Sequence, residues 1–240
     1  MQCAETRNAA ELAGFFQSPL LQEPVAAALA YGFQIDVIKE YWFVYDFGGG
    51  TFDAAVIKAE DGNINVVNHG GDNKLGGSNI DWAIIEQLII PGLVSNYDLP
   101  DFSRGNKKWL SAMARIKRLT EEAKIMLSRK NEIGIEISGI KDNQGEEIEY
   151  DFTLKRNELI NVAEPLIMRS LEICKQVLSE KKLKPEAINR MILVGGPTLA
   201  PYFREILQSN LGIQIDYSVD PLTVVARGAA PDFSVGKIVV

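Results

Sequence analysis

The sequence predicts an α/β fold, a mixed sheet flanked by helices with a small α+β subdomain inserted into it. Three observations predict it. Residues 41–68 read as three consecutive antiparallel strands. A buried apolar strand at Met191–Val194 runs through a double glycine into a helix. A second hairpin pattern, over residues 132–154, lies between long amphipathic helices.

Composition narrows the function. With 240 residues, 46% hydrophobic and 24% charged, the chain is long enough to bury a core. Its net charge of −7 disfavours nucleic acid or an anionic membrane surface as the main partner. Cys3 and Cys174 follow no metal or redox spacing, which fits a reducing cytoplasm. His69 is the sole histidine, which excludes multi-histidine metal sites and suits a partly buried bystander better than a catalytic base. No apolar run approaches the roughly 18 residues a spanning helix needs, and the opening residues lack the pattern of a secretion signal. The expectation is a cytoplasmic protein.

Taken in order, residues 4–14 favour a helix stopped by Gly14. The short apolar stretch Phe15–Leu21 predicts a strand that delivers Glu23 and Pro24 to a second helix ending near Gly32. Glu23 then sits at a strand-to-helix junction, where side chains commonly face a site; compensation of the helix N-terminus is its blander role.

The stretch from Tyr45 to Ala54 organises the chain. A strand over Tyr41–Tyr45 leads into Asp46, the glycines Gly48, Gly49 and Gly50, then Thr51, Phe52 and Asp53. Successive glycines expose backbone N–H groups with no Cβ in the way, a concave nest suited to phosphate oxygens. Asp46 and Asp53 place two carboxylates beside that nest. Carboxylates next to phosphate make chemical sense through a divalent cation, most often magnesium with much of its water shell retained.

Downstream, Asp61-Gly62 between alternating runs marks a hairpin. Gly76 and Gly77 precede an amphipathic helix capped by Ser78 or Asn79, whose first amides could face a phosphate or simply be capped. Residues 91–105 break regularity and lead into the inserted subdomain. Trp109–Leu127 follows as a helix with a narrow apolar stripe at Met113, Ile116, Leu119, Ala123 and Leu127, and a polar face carrying Glu121, Lys124 and Ser128. Residues 132–154 form the second hairpin, around Asn143-Gln144-Gly145. A long helix occupies residues 154–182. The strand Met191–Val194 ends at Gly195-Gly196, with Thr198 as the cap of the next helix. Ligands of open α/β folds gather at such strand ends. A last short strand and a helix opening at Asp220-Pro221 complete the pattern.

The combination of QEPVAAALAYGF, YDFGGGTFDAAV, KLGGSNIDW, LVGGPTLAP and DPLTVVARGAA, in this order and spacing, resembles the nucleotide-binding domain of the seventy-kilodalton heat-shock chaperones. The wider superfamily includes actin and sugar kinases, but EPVAAALAYG and KLGG look like the chaperone branch. The resemblance implies an actin-like fold with a ribonuclease H-like lobe. Residues 38–230 would form the second lobe with a five-stranded sheet, a subdomain would be inserted near 85–160, residues 1–37 would be a remnant of the first lobe, and 231–240 a tail. It also implies binding of ATP or ADP with magnesium, and hydrolysis that moves the lobes. Partners would be J-domain co-chaperones, nucleotide exchange factors and a peptide-binding domain.

Roles follow residue by residue from the resemblance. Asp46 matches an aspartate that acts on magnesium through water, and Gly48, Gly49, Gly50 and Thr51 match the loop around the β- and γ-phosphates. Asp53 and Glu23 match carboxylates that order magnesium and the attacking water. Glu121 and Lys124 match the pair on the ribose hydroxyls, Ser128 a partner of adenine, and Gly195 and Gly196 the adenosine loop. Gly76 and Gly77 join the nucleotide-binding set. Four positions depart from the pattern. Ile125 stands where the family has an arginine stacked on adenine, a contact worth roughly 0.5–2 kcal/mol, or about 2- to 30-fold in affinity. Pro197 and Leu199 replace a serine and an arginine, and Leu222 replaces an acidic residue. The family's first phosphate loop and its phosphate-contacting lysine lie upstream of Met1 in the pattern. The expectation is therefore weak binding and poor hydrolysis by these residues alone, or a non-catalytic binding or interaction module.

Overall fold

The computed structural model describes residues 2–15, 19–32 and 39–230. Its centre is a four-stranded mixed sheet in the order β3-β2-β1-β6. Strands β1 (Lys39–Phe47), β2 (Phe52–Glu60) and β3 (Asn63–Asp72) form the antiparallel meander. Strand β6 (Arg190–Val194) joins β1 in parallel, with Phe43 opposite Met191. The β2–β3 turn is of the kind Asp-Gly specifies, with positive φ at both Asp61 (50°) and Gly62 (75°).

Alternation along these strands builds two cores. Trp42, Val44, Ala55, Ile57, Ile192 and Val194 face one side, where helix α2 (Glu23–Gly32) packs with helix α8 (Val224–Ala229). Phe43, Tyr45, Phe47, Phe52, Val56 and Leu193 face the other and join the larger core. That core takes in the helices α3 (Gly77–Ile84), α5 (Leu110–Met126), α6 (Arg156–Glu180) and α7 (Pro201–Leu211). It continues unbroken into the hairpin of β4 (Glu132–Lys141) and β5 (Glu147–Lys155). Residues 19–32, grouped by sequence with a first-lobe remnant, thus pack through α2 onto the same sheet as the rest. Gly228 lets α8 close onto α2, because a Cβ there would lie 1.7 Å from the Ala26 carbonyl oxygen. Helix α1 (Gln2–Leu12), ended by Gly14 with φ of 90°, is exposed over residues 4–12 apart from the half-buried Ala10.

Several expectations change. Phe15 and residues 19–22 are not in a strand, and residues 16–18 lie outside the described residues. Pro19 lies inside the expected strand and removes one of the amides a ladder would need. The fifth strand is reduced to one parallel bridge, Met191 with Ile215, held by Met191 N to Gln214 O (2.8 Å) and Asp216 N to Met191 O (2.9 Å). Asp216 then bonds Ser218 N at 2.7 Å and turns the chain away. The chain does not break at Pro91: α3 runs through a π-helical turn, Ile85–Ile89, into α4 (Ile90–Asn96). In that wide turn Ile90 N donates to Ile85 O, so Pro91 enters a helix already re-registered around its missing amide. The irregular stretch begins only at Tyr97. His69 is exposed on the edge strand rather than partly buried.

Candidate functional site

The α2–α8 face of the sheet ends in carboxylates. Asp46 continues the Trp42, Val44 side of β1, and Asp53 lies directly opposite it in β2. Helix α2 crosses this face and brings Glu23, its first residue, to the same end. Asp46 is 8% exposed. Burial, then the charges of Glu23 and Asp53, then a hydrogen bond with Glu23 push its carboxyl up to about 7. Asp53 is raised as well, by burial and by Glu23, against a lowering pull from His69. Glu23 is therefore gathered with two carboxyls whose ionisation its charge makes harder.

The glycine loop follows directly. Gly48 N donates to Thr51 O at 2.9 Å, closing a tight turn. A Cβ at Gly48 would lie 3.6 Å from Thr51 Oγ1 and 4.0 Å from Asp46 Oδ1, so hydroxyl and carboxylate flank the same bend. The loop is seated on the start of α3. Gly77 N donates to Gly48 O (2.9 Å) and Ser78 N to Gly49 O (2.7 Å). A Cβ at Gly76 would lie 2.6 Å from Gly50 N, which is why this position is glycine. The helix is not capped by Ser78 or by Asn79 at its first position. Gly76 is the N-cap, and the Asn79 side chain reaches back to Gly76 N at 2.9 Å.

This seating fixes the direction of the loop's peptides. In a trans peptide the C=O and the following N–H point in opposite senses. With the carbonyls of Gly48 and Gly49 turned onto α3, the amides of Gly49 and Gly50 point away from it. Both residues are exposed, and a Cβ at either would meet nothing within 4 Å, although the back of Gly50 rests on Gly76. The α3 amides are thus engaged in holding the loop, and the outward donors belong to the loop itself.

The loop after β6 closes in from the other side. Gly195, with φ of 93°, would place a Cβ 2.1 Å from Phe47 O, and its amide donates to Pro221 O at 3.1 Å. Thr198 does not cap α7: its hydroxyl bonds Gly195 O at 2.7 Å and a 3-10 turn, Gly196–Leu199, precedes the helix start at Pro201. Pro197 Cγ would lie 3.0 Å from a Cβ at Gly77, and Leu222 Cδ2 3.7 Å from one at Gly196. The segments 46–53, 76–77, 195–197 and 221–222 therefore meet in one place.

Helix α5 contributes unevenly. Lys124 is joined to this cluster, with Nζ 3.1 Å from Gly77 O and 2.5 Å from Asp81 Oδ1. Glu121 is exposed and pairs with Lys117 at 3.6 Å, and Ser128 donates to Ile125 O at 2.6 Å; both partners lie within α5. Ile125 (62%), Leu199 (41%) and Leu222 (64%) are large apolar side chains left exposed. Sequence reasoning missed Asp81. Its signal was present, because Gly77, Ile80, Asp81, Ile84 and Ile85 form the buried stripe of α3 and one member is an acid.

Among the described residues no three His, Cys, Asp or Glu side chains converge to ligate a metal directly. An acidic cluster of raised proton affinity, with Thr51 beside it, still fits magnesium held through its water shell, which needs few direct protein ligands.

A family model described as Hsp70 protein matches residues 1–237. Chaperone protein DnaK of Mycoplasma mycoides subsp. mycoides SC is 36% identical over 225 residues, covering 94% of this chain and 37% of the relative. Chaperone protein DnaK of Mycoplasma mobile is 35% identical over 225 residues, covering 94% and 36%. That of Thermoplasma acidophilum is 34% identical over 229 residues, again covering 94% and 36%. The chain thus spans little more than a third of the length of these curated relatives. Matched over almost its entire length, and with a mixed sheet flanked by helices in the actin-like ATPase arrangement, the chain belongs to the Hsp70 family.

Proposed function

We propose that this chain is part of the nucleotide-binding, ATP-hydrolysing unit of a heat-shock-type chaperone, taking ATP and ADP together with magnesium. The carrying observation is the outward set of Gly49 and Gly50 amides beside the Asp46, Asp53 and Glu23 carboxylates. Amides of that kind receive phosphate oxygens, and acids beside them call for a cation.

Within this reading Gly48, Gly49, Gly50 and Thr51 bind the terminal phosphates. Asp46 would hold magnesium through water, and magnesium, when bound, supplies positive charge to the phosphate oxygens. Asp53 and Glu23 orient the attacking water and receive hydrogen bonds from it. Gly76, Gly77, Gly195 and Gly196 let the backbone approach the nucleoside closely, and Lys124, Glu121 and Ser128 reach its ribose and base. Hydrolysis changes the closure of a cleft, which a peptide-binding domain reads with J-domain and exchange-factor partners in a cytoplasmic setting. No helix among the described residues is long and apolar enough to cross a membrane.

The exposed Ile125, Leu199 and Leu222 favour a second reading, a non-catalytic binding or interaction module. Calorimetric titration with ADP and ATP, with and without magnesium, separates the two. Magnesium-dependent ADP binding at micromolar Kd or tighter, accompanied by turnover of ATP, supports the first; binding without turnover supports the second. Absence of binding in a folded sample supports the second.

A further inference from the structure

The acid that the sequence hides in the apolar stripe of α3 is buried beneath the seat of the glycine loop. Asp81 is 1% exposed, and its two oxygens face two lysines of α5: Lys124 Nζ at 2.5 Å from Oδ1 and Lys117 Nζ at 3.5 Å from Oδ2. Lys124 is itself 11% exposed, meets Asp81 Oδ1 as an ion pair without a hydrogen bond, and donates to Gly77 O at 3.1 Å. The peptide of Gly77 in turn donates to Gly48 O, and the next one to Gly49 O. A continuous path therefore runs from Asp81 through Lys124 to the α3 start and on to the loop. A buried carboxylate that keeps an ammonium in a fixed place also fixes what that ammonium bonds.

We propose that Asp81 is a positioning residue: through Lys124 it locks the start of α3 and the Gly48–Gly50 loop into the arrangement that presents the Gly49 and Gly50 amides. As a statement about nucleotide binding this rests on the function proposed above; as a statement about the loop it does not.

The test is amide hydrogen exchange on the unliganded chain, alongside calorimetric titration with ADP and magnesium. In Asp81→Asn the amides of Gly77 and Ser78 exchange on the order of tenfold faster or more, while those of β4 and β5 keep their rates. Lys124→Met gives the same local acceleration, and the double variant adds little to either single one. ADP affinity in Asp81→Asn falls by a similar factor. Unchanged exchange at Gly77 and Ser78 in both single variants overturns the proposal whatever the nucleotide does. Local acceleration with no ADP binding even in the unmodified chain upholds the lock and overturns the nucleotide reading instead. Should Asp81→Asn fail to fold, Lys124→Met carries the exchange test alone.

Discussion

Asp46 and Asp53 stand opposite each other on one rung of the β1–β2 ladder, on the same face of the sheet and at the end where the glycine loop begins. Like charges directly opposite in an antiparallel pair destabilise it. The pair is a local cost in the fold, and it has a measurable pH signature.

Asp46 has an ordinary carboxyl value of 3.8 when unfolded and about 7 when folded. The folded state keeps its proton where the unfolded state has lost it, so stability falls as pH climbs from about 4 to about 7 and levels off above. Asp46→Asn removes that dependence. It raises stability by about 2 to 4 kcal/mol at pH 8 and by little near pH 4. Thermal melts of both proteins across this range check it; equal melting temperatures at pH 8 would refute it.

Gly195→Ala and Gly49→Ala should part company. The first forces a Cβ to 2.1 Å from Phe47 O at a φ of 93°, and costs about 2 to 5 kcal/mol in urea unfolding. The second meets nothing within 4 Å, and stability stays within about 0.5 kcal/mol. Its effect belongs to the ligand, because the methyl group sits beside the outward amides. ADP affinity drops while the unfolding midpoint holds.

At the helix pair, Gly228→Ala drives a methyl group to 1.7 Å from Ala26 O. Helices α2 and α8 must separate, at about 1 to 3 kcal/mol or more. Chemical denaturation gives the loss. Glu23 is carried on α2, so the pH dependence attributed to Asp46 weakens in the same variant.

Ile125→Arg tests the base side of the site. Ile125 is 62% exposed, so the guanidinium needs no repacking. A planar cation stacked on a base is worth roughly 0.5–2 kcal/mol. Adenine nucleotides should bind about 2- to 30-fold more tightly by calorimetry. An unaltered Kd would place the base away from this helix turn.

What the sequence made legible was whatever repeats locally. The meander showed in its period-2 alternation and in Asp61-Gly62, and the positive φ of both turn residues is what that dipeptide is for. The turn at Gly48–Gly50 with Asp46 and Asp53 on either side could be read because all of its parts are contiguous in the chain. Less legible was anything set by partners distant in the chain. Pro91 looks like a break, and only the preceding π turn keeps it helical. Thr198 looks like a cap until the Gly195 carbonyl claims its hydroxyl. Asp81 looks like one polar helix residue among several, and its burial depends on lysines some 40 positions away. Ile215 has the composition of a strand, but Asp216 ends it after one bridge.

The parallel join of β1 to β6 has a consequence in time. Tyr41 and Asn189, bonded at the mouth of that join, lie 148 residues apart. At typical synthesis rates the hydrogen-bonding edge of β1 waits about 7 to 30 s for its partner to emerge. Long-range pairing of this kind is slow to form and exposes an unpaired strand edge meanwhile. A member of a family whose relatives are named as chaperones therefore passes through an aggregation-prone stage of its own on the ribosome.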